Sequence, residues 1–239
     1  MDLDDPRYLI SASRRMLFRE GCDSGVGGHV SMRATGEDAF WVSTFGYFDE
    51  TRPEDVEKVD FDLNVLESGT AKIASPAIQF HRAIYQQRPG VNSVIHTHSL
   101  WTAIFATTGR TIRVFHDPVC LIHNEQAVFI DDPAFPPVEG KRIAAALGDK
   151  RVLLLKNHGV IVVGDSIEQA TVLSMVVEIG ARIQIAAEAI GGTEHPDEYT
   201  AVLRRGHDEH FVRETWSANI RRLRRSDPDL YEALPPAVA

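Results

Sequence analysis

Apolar residues recur at three- and four-residue spacing in several segments, and this period predicts amphipathic helices. The first helix, over 5–21, has Asp5 as its N-cap, Pro6 at its first position and Gly21 at its end. A second helix begins at Ser75 and Pro76 and ends near Pro89. Further helices are predicted at 99–109, 138–149, 166–192 and 199–231.

Short runs rich in β-branched and aromatic residues predict strands between these helices. They are expected within 22–33 after a glycine-rich loop, within 38–46, twice within 55–69, within 91–99, and twice within 151–164, while 111–130 alternates strand and loop. Strands therefore interleave with helices, and no linker precedes the tail. We expect one α/β domain over 1–239, in which 195–239 is a C-terminal helical tail.

Composition narrows the class of protein. The chain has 239 residues, 44% of them hydrophobic and 25% charged, as is ordinary for a soluble α/β domain. The net charge of −9 disfavours nucleic acid and anionic membranes as partners. Two cysteines, Cys22 and Cys120, give no disulfide framework. The acidic N-terminus lacks a signal sequence, and no run approaches the ~18 apolar residues of a membrane span, so we expect a cytoplasmic protein.

Two histidines stand one residue apart in "NSVIHTHSLWTAI", at the end of an apolar strand. Alone, His96 and His98 are more typical of two histidines at the end of a strand than of a metal site. A catalytic metal site usually has three protein ligands and an open position. His158 is the best third ligand, because it lies in an Asn-His-Gly turn between two very apolar runs.

Four blocks of sequence resemble the class II aldolase/adducin family. They are "GVGGHVSMR" with "VSTFG", "FHRAIYQQRPG", "VNSVIHTHSLWTAI" and "LLLKNHGVIVVGDSIEQATVLSMVVEIGARIQIAA". The resemblance covers roughly residues 7–190 and implies a three-layer α/β/α fold with a central, largely antiparallel sheet. It also implies one divalent metal ion per subunit, held by His96, His98 and His158, and a homotetramer with active sites near subunit interfaces. Imidazole ligands do not distinguish zinc, manganese, cobalt and iron.

The sequence departs from the sugar-phosphate aldolases of the family at both acid/base positions. Those enzymes carry a glutamate four residues before the histidine that corresponds to His81, where this chain has Ala77. Alanine cannot move a proton, so this role is vacant. The aldolases also use a tyrosine in the region that reads "RVFHDPV" here, with His116 and Asp117.

The phosphate pocket of the aldolases is altered as well. At the positions where the aldolases have small hydrogen-bond donors for the phosphate, this chain reads Gly28-His29, Phe45-Gly46 and Ser75-Pro76. Because phosphate needs several aligned donors, we expect a non-phosphorylated substrate. A flat ring would suit Phe45 and Trp101, although Phe45 equally fits core packing. The full set of predicted substrate-binding residues is Gly28, Arg33, Phe45, Gly46, Ser75, Ala77, His81 and Trp101.

These departures favour a metal-dependent lyase, namely a decarboxylase of a hydroxy-aromatic or β-keto acid. A metal bound to a neighbouring oxygen serves as the electron sink, and no strong base is needed to start the reaction. The family includes decarboxylases of hydroxylated aromatic dicarboxylates, which "GGHVS" resembles more closely. Arg33 or Arg110 would hold a carboxylate. Candidate proton donors are His29, His116, His123 and Glu125.

Three alternatives remain open at this stage. The first is an aldolase with a replacement acid/base. The second is a three-histidine non-haem iron oxygenase. The third is a non-enzymatic scaffold like adducin, which the intact set of three histidines disfavours because a scaffold does not need it.

Overall fold

The computed structural model describes residues 3–136 and 139–231, without the side chains of 208 and 209. Its helices are α1 Pro6–Arg19, α2 Gln79–Gln87, α3 Leu100–Ala106, α4 Gly140–Leu147, α5 Ile167–Ala189 and α6 Asp197–Ser226. Its strands are β1 His29–Arg33, β2 Ala39–Ser43, β3 Val56–Asp60, β4 Val65–Glu67, β5 Ser93–Thr97, β6 Gln126–Phe129, β7 Val152–Leu155 and β8 Gly159–Gly164. Short 3₁₀ helices cover Pro53–Asp55, Pro76–Ile78, Asp117–Ile122 and Pro228–Tyr231.

The eight strands form one sheet in the order β4-β3-β2-β1-β5-β8-β7-β6. All neighbours pair antiparallel except β6 and β7, which are parallel. The prediction of a central, largely antiparallel sheet is therefore confirmed. β1, β5 and β8 lie side by side near its middle, and they bring the glycine-rich loop, the His96 strand and the His158 turn to one region.

Helices cover both faces of the sheet. Adjacent residues of a strand face opposite sides, and β5 accordingly sends Ile95 to one hydrophobic core and Val94 to the other. The first core lies under α1, α3, α5 and α6, and the second lies under α2 and α4. This arrangement is the predicted three-layer α/β/α fold.

Helix α5 contributes many of the buried side chains of the first core and packs against α1, α3 and α6. It begins at Ser166, whose hydroxyl accepts a hydrogen bond from the backbone N–H of Gln169. By length and hydropathy α5 is the one helix among the described residues that would suit a membrane span. Most of it is buried against the sheet and other helices, so it is a core helix of this domain. The C-terminal segment forms the single long helix α6, and residues 232–239 of the predicted tail lie outside the described residues.

Two segments differ in detail from their predicted form. The helix expected from Ser75 begins with one 3₁₀ turn, Pro76–Ile78, in which Ser75 Oγ accepts from the Ala77 N–H at 3.2 Å. The segment 111–130 contains a 3₁₀ helix and only one strand, β6. Pro118 near the start of that 3₁₀ helix lacks the N–H that a strand ladder requires.

Candidate metal centre

His96 lies on β5 with one ring nitrogen already used. Its Nδ1–H donates to the carbonyl of Val160 on β8 at 2.9 Å, and the side chain is 2% exposed. That hydrogen bond places the ring proton on Nδ1 and leaves the Nε2 lone pair free. A carbonyl that orients a histidine in this way is a common companion of metal ligation.

His98 follows the last residue of β5, and its ring lies closely packed between two glycines. Its backbone N–H donates to Ser24 Oγ at 2.7 Å. Two glycines flank its ring, since a Cβ at Gly27 would lie 3.1 Å from Cε1 and a Cβ at Gly159 would lie 3.1 Å from Cδ2. These close contacts fix the ring plane without using its Nε2 atom.

His158 is presented by the tight turn between β7 and β8. Asn157 adopts the left-handed conformation with φ 59°, which asparagine tolerates better than most residues. The turn presses on β5, because a Cβ at Gly159 would lie only 2.3 Å from the carbonyl oxygen of Thr97. Glycine at 159 therefore allows the His158 turn to lie directly against the strand that bears His96.

The three side chains converge. Their ligand atoms all lie within 4.8 Å of one another, and His98 Nε2 is 2.9 Å from His158 Nε2. Burial lowers the pKa of His158, lowers that of His98 to about 4 and holds that of His96 well below its usual value. The rings are thus neutral, which is the form that binds a metal. A tetrahedral zinc holds its nitrogens about 3.3 Å apart, so this donor set fits a divalent ion.

Two further histidines extend the cluster on the α2 side. The ring of His29 lies 5.1 Å from that of His96, because positions 29 and 96 are paired between β1 and β5. His29 Nδ1 is 2.7 Å from His81 Nε2. Burial holds the pKa of both His29 and His81 well below the usual range, so both are neutral. His29 thus lies beside the candidate metal site, and as a neutral ring it is poorly suited to the predicted role of proton donor.

Glu178 anchors the helix that follows His98. This α5 side chain is 4% exposed and accepts hydrogen bonds from the backbone N–H groups of Trp101 and Thr102 at 3.0 and 2.9 Å. The Thr102 hydroxyl adds a third at 2.6 Å. A carboxylate at a helix N-terminus is favourable, and this one fixes the start of α3 two residues after His98.

Arg14 of α1 holds the loop after β2. Its side chain is fully buried and donates to the carbonyls of Thr44 and Gly46. The guanidinium also lies 4.3 Å over the ring of Phe48. Burial lowers its pKa to about 9, against the opposing effect of Asp55 and Glu50. Arg14 therefore holds the backbone on both sides of Phe45, which is one of the predicted substrate-binding residues.

The remaining predicted pocket residues occupy the loops and helix starts described above. Phe45 is 37% exposed, and its N–H donates to Ile73 near Ser75. Gly28 is buried against Phe48 and Ser24. Ala77 is half-buried beside the second core. The substrate-binding role of these residues and of Gly46, His81 and Trp101 stays a prediction.

Three candidate proton donors, Glu125, His116 and His123, have surroundings that include none of the three histidines. Glu125 forms an ion pair with Arg204 of α6 at 3.0 Å. His116 lines a cavity of about 630 Å³ between the end of α1, α5 and α6, whose walls contain none of the three histidines. His123 faces Asp197 at 3.5 Å. Within one subunit Glu125 and His123 therefore have ion-pair partners of their own, and the catalytic roles of all three residues stay predictions.

The two arginines proposed for a substrate carboxylate are also engaged. Arg33 donates to the carbonyls of Val91, Tyr85 and Arg88, and so closes the C-terminal end of α2. Arg110 forms a two-pronged ion pair with Glu188 on the surface. Neither geometry favours the predicted carboxylate role.

Sequence reasoning missed Arg14, Glu178, Gly27 and Gly159 as residues that shape the site. A glutamate and an arginine within apolar helical stretches were visible signals, because such residues are rarely buried without partners. Their partners lie far away in sequence, however, and only the folded chain identifies them.

Comparison with known proteins agrees with this fold and site. The Class II Aldolase and Adducin N-terminal domain family matches residues 7–185, so the chain belongs to this family. The solved structure of an L-fuculose 1-phosphate aldolase from Glaciozyma antarctica PI12 superposes with a TM-score of 0.86, over 95% of this chain and 92% of that one. The two are 23% identical, and this likeness shows the shared fold.

Three curated relatives are each 28% identical to this chain. Decarboxylase NovR of Streptomyces niveus aligns over 86% of this chain and 78% of its own length. The 3,4-dihydroxyphthalate decarboxylase of Arthrobacter keyseri aligns over 82% and 85%. A 4-hydroxy-3-prenylphenylpyruvate oxygenase/4-hydroxy-3-prenylbenzoate synthase of Streptomyces roseochromogenus subsp. oscitans aligns over 79% and 70%. The lyases among these relatives support a lyase as the class of enzyme.

Proposed function

We propose that this protein is a metal-dependent decarboxylase of a non-phosphorylated hydroxy-aromatic or β-keto acid. The observation that carries the proposal is the convergence of three neutral histidines in a group that contains no carboxylate among the described residues. Ala77 stands where the resembling aldolases have their acid/base glutamate, so this chain lacks the group that abstracts a proton in those enzymes.

The reaction matches what this donor set supplies. His96, His98 and His158 would hold one divalent ion, whose contribution is Lewis-acid stabilisation of negative charge on a substrate oxygen. In the reaction, the bond between the substrate carbon and its carboxylate breaks, CO₂ leaves, and the electron pair stays on the carbon until a proton replaces CO₂. The partly exposed side chain of Phe45 suits a flat substrate better than a phosphate group.

The experiment loads purified protein with zinc, manganese, cobalt or iron in turn. It then measures CO₂ release from 3,4-dihydroxyphthalate and from a β-keto acid. We expect CO₂ release with at least one metal and its loss in His96→Ala. His210→Ala is the matched control, because His210 is an exposed histidine on α6, away from the three ligands.

The same preparation distinguishes the alternatives. Cleavage of fuculose 1-phosphate without CO₂ release from either acid would identify an aldolase. Oxygen consumption that depends on iron would identify an oxygenase, an activity named for one of the relatives. Failure of the intact protein to retain any metal would favour a scaffold.

We further propose that the active enzyme is a homotetramer whose metal centres lie near subunit interfaces. Exposed apolar side chains adjoin the site and support this: Val26 in the glycine-rich loop is 47% exposed, and Leu100 and Ile104 on α3 are 63% and 44% exposed. Contiguous exposed apolar surface commonly marks an interface. Light scattering should give four times the subunit mass, and Leu100→Asp should lower it.

A further inference from the structure

A chain of buried polar side chains runs from the candidate metal centre into the layer formed by α2. It begins at His29 and passes from His29 Nδ1 to His81 Nε2 at 2.7 Å. It continues from His81 Nδ1 to Ser31 Oγ at 2.6 Å and from Ser31 Oγ to the Tyr85 hydroxyl at 2.7 Å. All four side chains are at most 2% exposed. Every contact in this series is short enough for a hydrogen bond.

The partners and lengths of these contacts indicate the direction of the hydrogen bonds. Among the described residues the Tyr85 hydroxyl has one acceptor, Ser31 Oγ at 2.7 Å, so Tyr85 donates to Ser31. The single hydroxyl hydrogen of Ser31 is then available to His81 Nδ1 at 2.6 Å or to the Val94 carbonyl at 3.4 Å. Hydroxyl donors prefer roughly 2.5–3.0 Å to their acceptor, so this hydrogen is donated to His81. His81 in turn donates from Nε2 to His29 Nδ1.

This order determines the tautomer of His29. A neutral imidazole carries one hydrogen. Because His29 Nδ1 accepts from His81, the hydrogen of His29 is on Nε2. Nε2 is buried and has no hydrogen-bond partner among the described residues. The chain therefore ends in an unpaired N–H donor on a ring that lies against the metal-ligand candidate His96.

We propose that His29 Nε2–H donates a hydrogen bond to an anionic oxygen of the substrate, and that His81, Ser31 and Tyr85 are positioning residues that keep this hydrogen on Nε2. The proposal rests on the proposed function for its substrate class, a carboxylate or phenolate of a hydroxy acid. A fixed neutral donor stabilises developing negative charge without giving up its proton. This role differs from general acid catalysis, which would need a charged ring.

The test is nitrogen NMR of zinc-loaded protein with ¹⁵N-labelled histidine, in which protonated and bare ring nitrogens have well-separated shifts. The His29 signals are assigned by their loss in His29→Asn. We expect protonated Nε2 and bare Nδ1 in the wild type. Ser31→Ala should give a mixture of tautomers, and Ser31→Thr, which keeps the hydroxyl, should restore the wild-type pattern. Ser13→Ala removes another buried hydroxyl, paired with Thr171, and should change nothing.

The second part of the test adds 3,4-dihydroxyphthalate as the probe. The His29 Nε2 signal should shift, and His29→Ala should weaken probe binding by about tenfold. A bare Nε2 in the wild type, an unchanged tautomer in Ser31→Ala, or an Nε2 signal that saturating probe leaves unmoved would overturn the proposal. These readouts need no turnover. Absence of CO₂ release with the NMR pattern intact would therefore refute the decarboxylase assignment alone.

Discussion

His98 Nε2 and His158 Nε2 lie 2.9 Å apart, although 60 residues separate them in the chain. One follows the end of β5 and the other lies in the turn between β7 and β8, so the contact depends on the pairing of β5 with β8. This contact brings two ring nitrogens close enough together to be ligands of one metal ion.

Removal of one ligand should abolish tight metal binding. We expect wild-type protein to retain about one zinc per chain after gel filtration and His158→Ala to retain far less, because two ligands bind more weakly than three. Zinc should raise the melting temperature of the wild type, since a ligand that binds only the folded state stabilises it. Equal zinc content in His158→Ala and in the surface control His210→Ala would contradict the assignment of the site.

Gly159→Ala should damage the metal site without touching a ligand. Its Cβ would meet the Thr97 carbonyl oxygen at 2.3 Å and His98 Cδ2 at 3.1 Å, so the hairpin has to move away from β5. We expect zinc affinity to fall by at least about tenfold, as for other changes that disturb ligand orientation. Competition with a chelator measures this. The control is Gly206→Ala on α6, where a Cβ meets nothing within 4 Å and zinc affinity should stay unchanged.

Glu178→Gln should destabilise the fold. A glutamine has one acceptor oxygen where the carboxylate has two, so at least one of the three donors from Trp101 and Thr102 loses its partner. We expect a loss of about 1–3 kcal/mol in the free energy of unfolding, measured with urea. Glu214→Gln, an exposed change on α6, should cost less than about 0.5 kcal/mol. Equal effects of the two changes would show that the α3 anchor is unimportant.

The carboxylate of Asp229 should stabilise the protein at neutral pH and lose this effect at acidic pH, where it becomes protonated. Hydrogen bonds from Arg15, the nearer at 2.7 Å, lower the pKa of Asp229. A lowered carboxyl pKa contributes stability above the unfolded value of about 3.9 and loses it as the pH falls through the native pKa. Asp229→Asn should therefore cost stability at pH 7, by less than about 1 kcal/mol because the pair is partly exposed. The difference from wild type should shrink below about pH 4, as measured by urea unfolding. A difference independent of pH would contradict the ion pair.

The sequence was informative wherever the signal was local or the motif was specific. The helix over 5–21 was predicted from Asp5, Pro6 and Gly21, and α1 occupies Pro6–Arg19 with Asp5 as its N-cap. The layered fold was expected from the family resemblance. Such signals survive folding because caps, turns and apolar periods act within a few residues.

Long-range contacts account for what the sequence left open. Residues 96, 98 and 158 could be proposed as ligands, but their distances depend on the pairing of β5 with β8. Glu125 was a candidate proton donor, and the structure shows that α6 places Arg204 beside it. Glu178 looked like one more acid in a helix, and the start of α3 gives it three donors.

By itself the sequence therefore determined the helices, the order of the strands along the chain and the residue types that could hold a metal. The tertiary structure decided which of those side chains meet, and it joined His29 through His81 and Ser31 to Tyr85. The physical reason is that periodicity and capping are local properties. A hydrogen bond between buried groups 50 or more residues apart depends on how the sheet and its helices pack around them.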